Sequence, residues 1–424
     1  MKKRWLALLL TVIFLTACTP SGQQENTPTA ENQEPQTTQT AQVTPVPTKE
    51  ASQMTETEKI LNGKTDTAYT DTLVNAGDSV RIAQLMRKAQ NGGQYTIMAF
   101  GGSISQGQGA SKPEKAYGPL VCQWWKNNFP QAEFTYVNAG LGATNPEMGC
   151  YRYNHDVLPY KPDFTVIDFA VNTYLDNKLD TTYPTLLTRL QEDGSAVMAI
   201  YFSRTLGNSY KEGKPAMDQT IPEKGISEAV KTYQIPTVDF HHYIWKYIDE
   251  SKIAWNLVGS DSIHPNDFGH KLAAELICNH LDYVKAHLDE IGDTAPAIPA
   301  PKKDTYRNVS MLTVKSEGIT TAGSVNAQAG TSTGTMGWVC GSGKGELTLK
   351  VPEGANHLQL FMVFGGDGTI KVVNSDGTVK KTVKPANAAT PTLIQVNVSG
   401  LSETITIQSD ITSGTAVFYG IGVD

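Results

Sequence analysis

Apolar residues follow two different patterns along the chain. Between about residues 78 and 287, short apolar runs rich in β-branched and aromatic residues alternate with longer segments in which apolar residues recur every three or four positions. The first kind of run is typical of buried parallel strands, and the second of amphipathic helices. After about residue 306 the helical spacing is lost, and short runs that alternate apolar with polar residues replace it. We therefore predict an α/β domain followed by an all-β domain.

The α/β domain, placed at residues 61–292, is predicted to contain five strands. Because these strands alternate with helical segments, we expect a doubly wound, flavodoxin-like parallel sheet with helices on both faces. The predicted strands are residues 95–100, 134–138, 164–171, 196–202 and 235–240. The predicted helices are residues 78–90, 116–128, 183–192, 222–233 and 267–287.

The all-β domain is placed at residues 305–424, after a Pro/Ala-rich linker at residues 293–304. Ser-Asp-Gly at residues 375–377 is a hairpin signal between two of its strands. The pattern predicts a β-sandwich or jelly roll. Its predicted strands are residues 346–351, 358–364, 369–374, 378–383, 393–398 and 404–408.

The N-terminus has the features of a signal peptide, residues 1–17. Residues 1–4 are basic, and residues 5–17 form an apolar stretch that is too short to span a bilayer. The following Leu-Thr-Ala-Cys resembles the lipobox of bacterial lipoproteins, which implies cleavage before Cys18 and a lipid on that cysteine. The protein would then be held at the cell surface by its lipid anchor alone. An ordinary secretory signal is the alternative.

Residues 18–60 are rich in Thr, Pro, Gln and Glu, with few large apolar side chains. Such a segment buries too little surface to offset the entropy of the chain, so we predict a disordered tether.

Charge and cysteine spacing exclude several classes of function. The net charge of −7 at pH 7 argues against a nucleic-acid partner, which requires a basic face. The remaining cysteines, Cys122, Cys150, Cys278 and Cys340, show no C-x-x-C spacing. We therefore expect no zinc or iron–sulfur site and no other cofactor. Cys122 and Cys278 lie on two predicted helices, where buried free thiols are favoured over a disulfide.

Polar residues follow three predicted strands and precede the last predicted helix. Ser103 follows the first strand, Gly140 the second and Asn172 the third, while Asp261 and His264 stand just before the helix. Because the carboxyl ends of parallel strands open into one crevice, we expect these residues to meet. Together they comprise a nucleophile, an oxyanion hole, a general base and an orienting carboxylate. This set predicts a serine esterase.

Each of these residues has an assigned role and a simpler alternative. Ser103 would attack the ester carbonyl, and His264 would take its proton. Asp261 would orient the imidazole, and the oxyanion would be bound by the N–H groups of Ser103 and Gly140 and by the Asn172 amide. The alternatives are ordinary turn and capping residues, and Ser105 fits the capping role better than a nucleophilic one.

The segments GGSISQG, VNAGLGAT and DSIHPND resemble the SGNH (GDSL-type) hydrolases over residues 92–281. They are most similar to bacterial carbohydrate esterases that remove acetyl groups from polysaccharides. The resemblance implies an SGNH hydrolase fold and an acetylated polysaccharide or other short-chain ester as substrate. Two positions depart from the family pattern, because Gly102 and Thr173 stand where aspartates are usual. The change at Thr173 affects the contacts that hold the loop of Asn172 in place.

Two other functions stay open at this stage. One is a different SGNH activity: peptidoglycan O-acetyl esterase, lipase, thioesterase or acyltransferase. The other is an inactive carbohydrate-binding lipoprotein. No long apolar segment suggests a lipase lid, and the presence of Ser103, Asp261 and His264 together disfavours an inactive protein.

Three aromatic or basic residues are candidate substrate contacts. Tyr151 and Arg152 follow the second motif and would border the sugar site, or else pack and face solvent as ordinary residues. Beside a polysaccharide esterase, the β domain suggests carbohydrate binding. Trp338 would be its stacking platform, or else part of its core.

Overall fold

The structure of the chain is a computed structural model. It describes residues 55–63, 69, 72–176, 178–202, 205–206, 216–217, 226–329, 336–355, 357–384 and 392–423. The predicted signal peptide, the lipidation site Cys18 and nearly all of the predicted tether lie outside the described residues. Within the described ranges no helix is long and apolar enough to cross a membrane.

The first domain combines one mixed sheet with helices on both of its faces. Its helices are α1 (Glu56–Asn62), α2 (Val80–Ala89), α3 (Ser103–Gln106), α4 (Tyr117–Asn128), α5 (Pro146–Asp156), α6 (Leu179–Glu192), α7 (Ile226–Thr232), α8 (Phe240–Asp249) and α9 (Asp267–Ala286). Its strands are β1 (Leu73–Asn75), β2 (Gln94–Gly101), β3 (Glu133–Gly140), β4 (Phe164–Asp168), β5 (Ala196–Tyr201), β6 (Thr205–Leu206), β7 (Ala216–Met217) and β8 (Thr237–Asp239).

The main sheet has the strand order β1-β8-β5-β4-β2-β3. The five predicted strands form its parallel part, which confirms the predicted α/β fold. The predicted sheet lacked β1, a three-residue edge strand that pairs antiparallel with β8. The 205–206 and 216–217 strands form a separate two-stranded ladder.

Two predicted strands, β4 and β8, end earlier than expected. Both changes lie at the edge of the sheet that carries the carboxyl ends of the parallel strands. β4 stops at Asp168, and the chain continues as a 3-10 turn over Ala170–Leu175. β8 stops at Asp239, whose side chain caps α8 by accepting the His242 N–H at 2.8 Å. His241, which directly follows the predicted strand at residues 235–240, therefore lies in a helix.

Four of the described helices, α1, α3, α5 and α8, were not predicted, although α1, α5 and α8 each carry a capping residue. Thr55 and Glu58 form a capping box at the start of α1, which begins inside the segment assigned to the tether. Ile60 of this helix is buried in the core of the domain. At α5, Asn145 accepts the Met148 N–H, and a proline occupies the first helical turn.

The second domain is one antiparallel sheet. Its strands are β9 (Ser310–Leu312), β10 (Ile319–Ala329), β11 (Met336–Lys350), β12 (His357–Asn374), β13 (Val379–Val383), β14 (Thr392–Ser399) and β15 (Thr404–Val423). The order is β10-β11-β15-β12-β13, with β14 also paired to β12 and β9 to β15.

The predicted C-terminal β domain is confirmed, and its strands are joined into one hydrogen-bonded sheet through the long strands β12 and β15. Residues 358–364 and 369–374, predicted as two strands, belong to β12, which passes a register shift at Asp367/Gly368. Gly366 and Gly368 have positive φ, so glycine permits the irregular backbone at the bend without ending the strand. Apolar side chains from both halves of β12 enter one core.

The two domains share a packed interface. The Tyr151 ring of α5 lies 5.4 Å from the Phe361 ring of β12 and 6.1 Å from the Tyr306 ring, centroid to centroid. A Cβ on Gly422 would lie 2.5 Å from the Tyr151 ring, so glycine lets the ring approach β15. We conclude that the first domain and the β domain form a continuous hydrophobic contact.

Candidate active site

A sharp turn between β2 and α3 presents Ser103. A Cβ on Gly101 would lie 2.0 Å from the Asp168 carbonyl oxygen, and one on Gly102 would lie 2.8 Å from the Asn172 amide nitrogen. The turn therefore requires glycine at position 101, where backbone blocks a side chain, whereas a side chain at position 102 would displace the Asn172 amide. Ser103 is the first residue of α3, where backbone N–H groups have no acceptor within the helix.

His264 connects Ser103 to Asp261. Its Nε2 lies 2.9 Å from Ser103 Oγ, although the two residues are 161 positions apart in the chain. Its Nδ1 lies 2.6 Å from Asp261 Oδ2. The structure therefore assembles the predicted hydroxyl–imidazole–carboxylate chain, the arrangement that converts a weak hydroxyl nucleophile into a reactive one.

Asp261 is held in its ionised form. Burial alone would raise its pKa, but hydrogen bonds from His264 and Ile263 and the charge of His264 outweigh that effect and bring the pKa below its usual range. Its Oδ1 accepts the N–H groups of Ile263 at 2.7 Å and His264 at 2.8 Å. Trp255 fixes the loop by donating its indole N–H to the Asp261 carbonyl at 2.7 Å. The carboxylate is thus oriented before any substrate binds.

Asn172 also lies at the Ser103 turn. Its amide nitrogen donates to the Thr144 carbonyl at 3.0 Å. Thr173, which replaces the usual aspartate, donates its hydroxyl to Ala170 at 3.0 Å and so closes the 3-10 turn that carries Asn172. With threonine instead of aspartate at position 173, Asn172 still lies beside the Ser103 turn.

Gly140 does not occupy the predicted oxyanion-binding position. Its N–H donates to Asn138 Oδ1 at 2.9 Å, and a Cβ on it would lie 2.1 Å from the backbone nitrogen of Gln106. Gly140 is therefore a packing residue between β3 and α3.

The loop that borders Ser103 begins two residues after Gly140, at Gly142. A Cβ on Gly142 would lie 3.8 Å from Ser103 Cβ, and the Gly142 N–H donates to Gln106 Oε1 at 2.9 Å. Ala143 has a φ of +59°, a conformation that residues other than glycine seldom adopt and that recurs at functional sites. The loop at Gly142 and Ala143 is the functional feature that the sequence pattern missed.

Arg152 is not a substrate contact, because its side chain is 0 % exposed. Its Nη1 donates at 2.7 Å both to the Ala139 carbonyl and to Asp156 Oδ2, and its Nη2 donates to the Gly101 carbonyl at 2.8 Å. Arg152 therefore ties together the carboxyl ends of β2 and β3 beneath the site. Only the fold reveals this role, because the carbonyl groups of Ala139 and Gly101 lie 13 and 51 positions from Arg152 along the chain.

The two aromatic candidates are also buried. Tyr151 lies in the interface between the domains and is 4 % exposed. Trp338 is 2 % exposed within the core of the β domain. Neither ring presents a free face, so the predicted sugar contacts at these two residues are corrected to packing roles.

We expect Arg152→Met to lower the free energy of unfolding by about 3–5 kcal/mol, since it leaves Asp156 buried without its cation. Urea unfolding followed by circular dichroism measures this. Arg307→Met is the matched control, because Arg307 forms partly exposed ion pairs with Glu192 and Asp304 and should cost less than about 1 kcal/mol. Equal losses in the two variants would contradict the role given to Arg152.

None of the four cysteines in the described ranges forms a disulfide, and all four are buried. Burial raises the pKa of Cys122 and of Cys340 to about 11, so neither thiol is reactive near neutral pH. Within the part of the chain that the structure describes, no cluster of His, Cys, Asp and Glu side chains is arranged to hold a metal ion.

Comparisons with known proteins find one matching family model and several similar structures. Residues 99–272 match the GDSL-like Lipase/Acylhydrolase family. A two-domain esterase (CEX) active on acetylated mannans is 26 % identical, with a TM-score of 0.67 over 84 % of this chain and 97 % of that chain. The same kind of esterase co-crystallised with mannopentaose gives a TM-score of 0.65 at the same identity and coverage. Axe2, an acetylxylan esterase from Geobacillus stearothermophilus, is 18 % identical, covering 45 % of this chain and 95 % of that chain with a TM-score of 0.36. No curated protein sequence matches the chain.

Proposed function

We propose that this chain, which belongs to the GDSL-like lipase/acylhydrolase family through residues 99–272, is a serine esterase that removes O-acetyl groups from polysaccharide. The observation that carries the proposal is the position of His264 between Ser103 and Asp261, with both contacts at hydrogen-bond distance. A triad serine hydrolase uses a nucleophile, a base and an orienting carboxylate connected in this order.

In the proposed reaction, Ser103 Oγ attacks the acetyl carbonyl carbon while its proton passes to His264 Nε2. The resulting imidazolium is stabilised by the Asp261 carboxylate, which stays ionised. When the tetrahedral intermediate collapses, the C–O bond to the sugar breaks and His264 returns the proton to the departing sugar oxygen. A water molecule, deprotonated by His264, then attacks the acetyl-serine and releases acetate.

The negative charge of each tetrahedral intermediate needs donors that are already in place. We assign this role to the Ser103 N–H at the start of α3, the Asn172 side-chain amide and the Ala143 N–H. The first two residues are retained from the sequence prediction, and Ala143 replaces Gly140, whose N–H is engaged by Asn138. The Gly142 N–H is likewise engaged, by Gln106.

The polysaccharide substrate is supported by similarity across both domains. The esterase that resembles this chain over 84 % of its length is described as active on acetylated mannans. The β domain also approaches the site directly, since Gln395 of β14 accepts a hydrogen bond from the Asn145 amide at 3.3 Å. Asn145 lies two residues after Ala143, so a polymer chain at the site would pass close to β14.

We further propose that the protein is a surface lipoprotein anchored through Cys18. The support is the sequence at residues 1–18, which lies outside the described residues. Labelling of the expressed protein with radioactive palmitate should depend on Cys18, and Cys18→Ser should abolish it. Unchanged labelling in that variant would contradict the anchor.

The decisive experiment is acetate release from a panel of acetylated polysaccharides, with Ser103→Ala as the inactive control. We expect release from at least one acetylated polysaccharide by the unmodified protein and none by the variant. Hydrolysis of simple acetyl esters without release from any polysaccharide would refute the substrate class but not the esterase. No hydrolysis of any ester would refute both.

Among nitrophenyl esters, we expect acetyl esters to be hydrolysed faster than butyryl and longer esters. A site built for acetyl groups needs only a small acyl pocket, which rejects extra methylenes sterically, whereas a missing methylene costs only about 1–3 kcal/mol of binding. Comparing kcat/KM across acyl lengths measures this. A maximum at octanoyl or longer would indicate a lipase instead.

A further inference from the structure

Asp168 is a buried carboxyl group directly behind the nucleophile turn. It ends β4 opposite Gly101 of β2, and it is 1 % exposed. Its Oδ2 accepts a hydrogen bond from the Ser105 hydroxyl at 3.1 Å. Its Oδ1 is buried and has no hydrogen-bond partner. The proposed reaction does not use this residue.

Asp168 contacts the turn on both sides of Ser103. Its backbone carbonyl accepts the Gly102 N–H at 3.1 Å, and its side chain binds Ser105. The Ser105 hydroxyl also lies 2.6 Å from the Tyr117 hydroxyl. When Tyr117 donates to Ser105 and Ser105 donates to Asp168, one directed chain of hydrogen bonds runs from α4 to the carboxyl group.

The surroundings of Asp168 disfavour a negative charge. The ionisable side chains that face it are the phenols of Tyr117 on α4 and Tyr183 on α6, and burial raises the pKa of both well above their usual range. Gly101, its partner in β2, carries no side chain. Burial raises the pKa of Asp168 itself to about 7, and the hydrogen bonds from Ser105 limit this rise. Asp168 is thus divided between neutral and ionised forms near neutral pH.

We propose that Asp168 is a positioning residue that acts as a neutral carboxylic acid, holding residues 102–105 so that the Ser103 hydroxyl and N–H face the ester. The proposal rests on the esterase function proposed above. The oxyanion would form at the start of α3, and an Asp168 carboxylate behind the same turn would repel it in a medium that screens charge poorly. The neutral acid keeps the hydrogen bond to Ser105 without adding that repulsion.

The test compares pH–rate profiles for nitrophenyl acetate among the wild type, Asp168→Asn and Asp168→Ala, with the rate of Ser103→Ala subtracted. Asparagine keeps a hydrogen-bond acceptor for Ser105 but cannot ionise, whereas alanine removes the acceptor. In the wild type, we expect kcat to fall at least about threefold between about pH 6.5 and about pH 8.5, as Asp168 ionises. In Asp168→Asn this fall should be absent.

Asp168→Ala should lower kcat about tenfold or more at every pH, with little change in KM, because a misplaced nucleophile weakens the transition state more than substrate binding. Ser105→Ala breaks the same hydrogen bond from the other side and should lower kcat similarly, which keeps the test valid if Asp168→Ala does not fold. Rescue by asparagine relative to alanine distinguishes positioning from mere packing.

Three results would overturn the proposal. The first is a folded Asp168→Asn as impaired as Asp168→Ala, since it would mean that the carboxylate is required. The second is a wild-type alkaline fall that persists in Asp168→Asn. The third is full activity in both Asp168→Ala and Ser105→Ala. All three presuppose a wild type that hydrolyses the ester through Ser103, so they are distinguishable from failure of the esterase function itself.

Discussion

Ser103→Ala should lower kcat for nitrophenyl acetate by at least about 1,000-fold, because removing the nucleophile of a triad eliminates the acyl-enzyme route. Ser103 is the hydroxyl within 2.9 Å of His264 Nε2. Replacing it removes one oxygen from a site at the first position of α3, so the fold should persist. Steady-state kinetics together with circular dichroism measure both expectations.

Ser105→Ala is the matched comparison for this variant. Ser105 lies in the same short helix, but its hydroxyl contacts Asp168 and Tyr117. We expect it to lose much less activity than Ser103→Ala. The opposite order, with Ser103→Ala near full activity and Ser105→Ala inactive, would show that the nucleophile has been misassigned.

His264→Ala should lower kcat by a similar factor, at least about 1,000-fold, since the serine then has no base to take its proton. Asp261→Asn should be impaired less, because backbone contacts still orient part of the loop. The Ser260 N–H, for example, donates to the His264 carbonyl at 2.8 Å. Kinetics at several pH values, with substrate at saturation, separate these effects.

His242→Ala offers an unusually close control. His242 forms the same kind of pair with Asp239 as His264 does with Asp261, at the same distance of 2.6 Å between Nδ1 and Oδ2. The histidine within reach of Ser103 Oγ is His264. His242→Ala should therefore keep kcat within about threefold of the wild type. A loss as large as that of His264→Ala would contradict the assignment of the base.

Local sequence patterns were sufficient for most of the α/β sheet. Its central strands β4 and β5 are largely apolar runs in which every residue is buried, and such runs are typical of strands buried on both faces. The pattern of apolar positions was less informative where polar side chains are buried through contacts with residues far away in the chain. Beyond the start signal at Asn145, it did not indicate α5, in which Glu147, Arg152 and Asp156 are all buried. A helix with so many buried polar residues has no clear apolar stripe to read.

Gly365 to Gly368 illustrate a second kind of error. Glycines between two apolar runs are a turn signal, so β12 was predicted as two strands. In the folded domain β15 pairs with β12 on both sides of these residues, so the chain bends without leaving the sheet. Pairing with a distant strand decided the outcome, and no local pattern records such pairing.

By itself, the sequence determined the fold class of the catalytic domain and the identity of Ser103, Asn172, Asp261 and His264 as the residues that meet. It could do so because Ser103 and Asn172 follow predicted strands and Asp261 and His264 precede a predicted helix, and parallel strands bring their carboxyl ends together. Only the tertiary structure decided that Gly140 packs while Gly142 borders the nucleophile, that Arg152 and Trp338 are buried, and that Asp168 contacts the turn. Burial and hydrogen-bond partnership depend on groups far away in the chain, and they are fixed only when the whole domain packs.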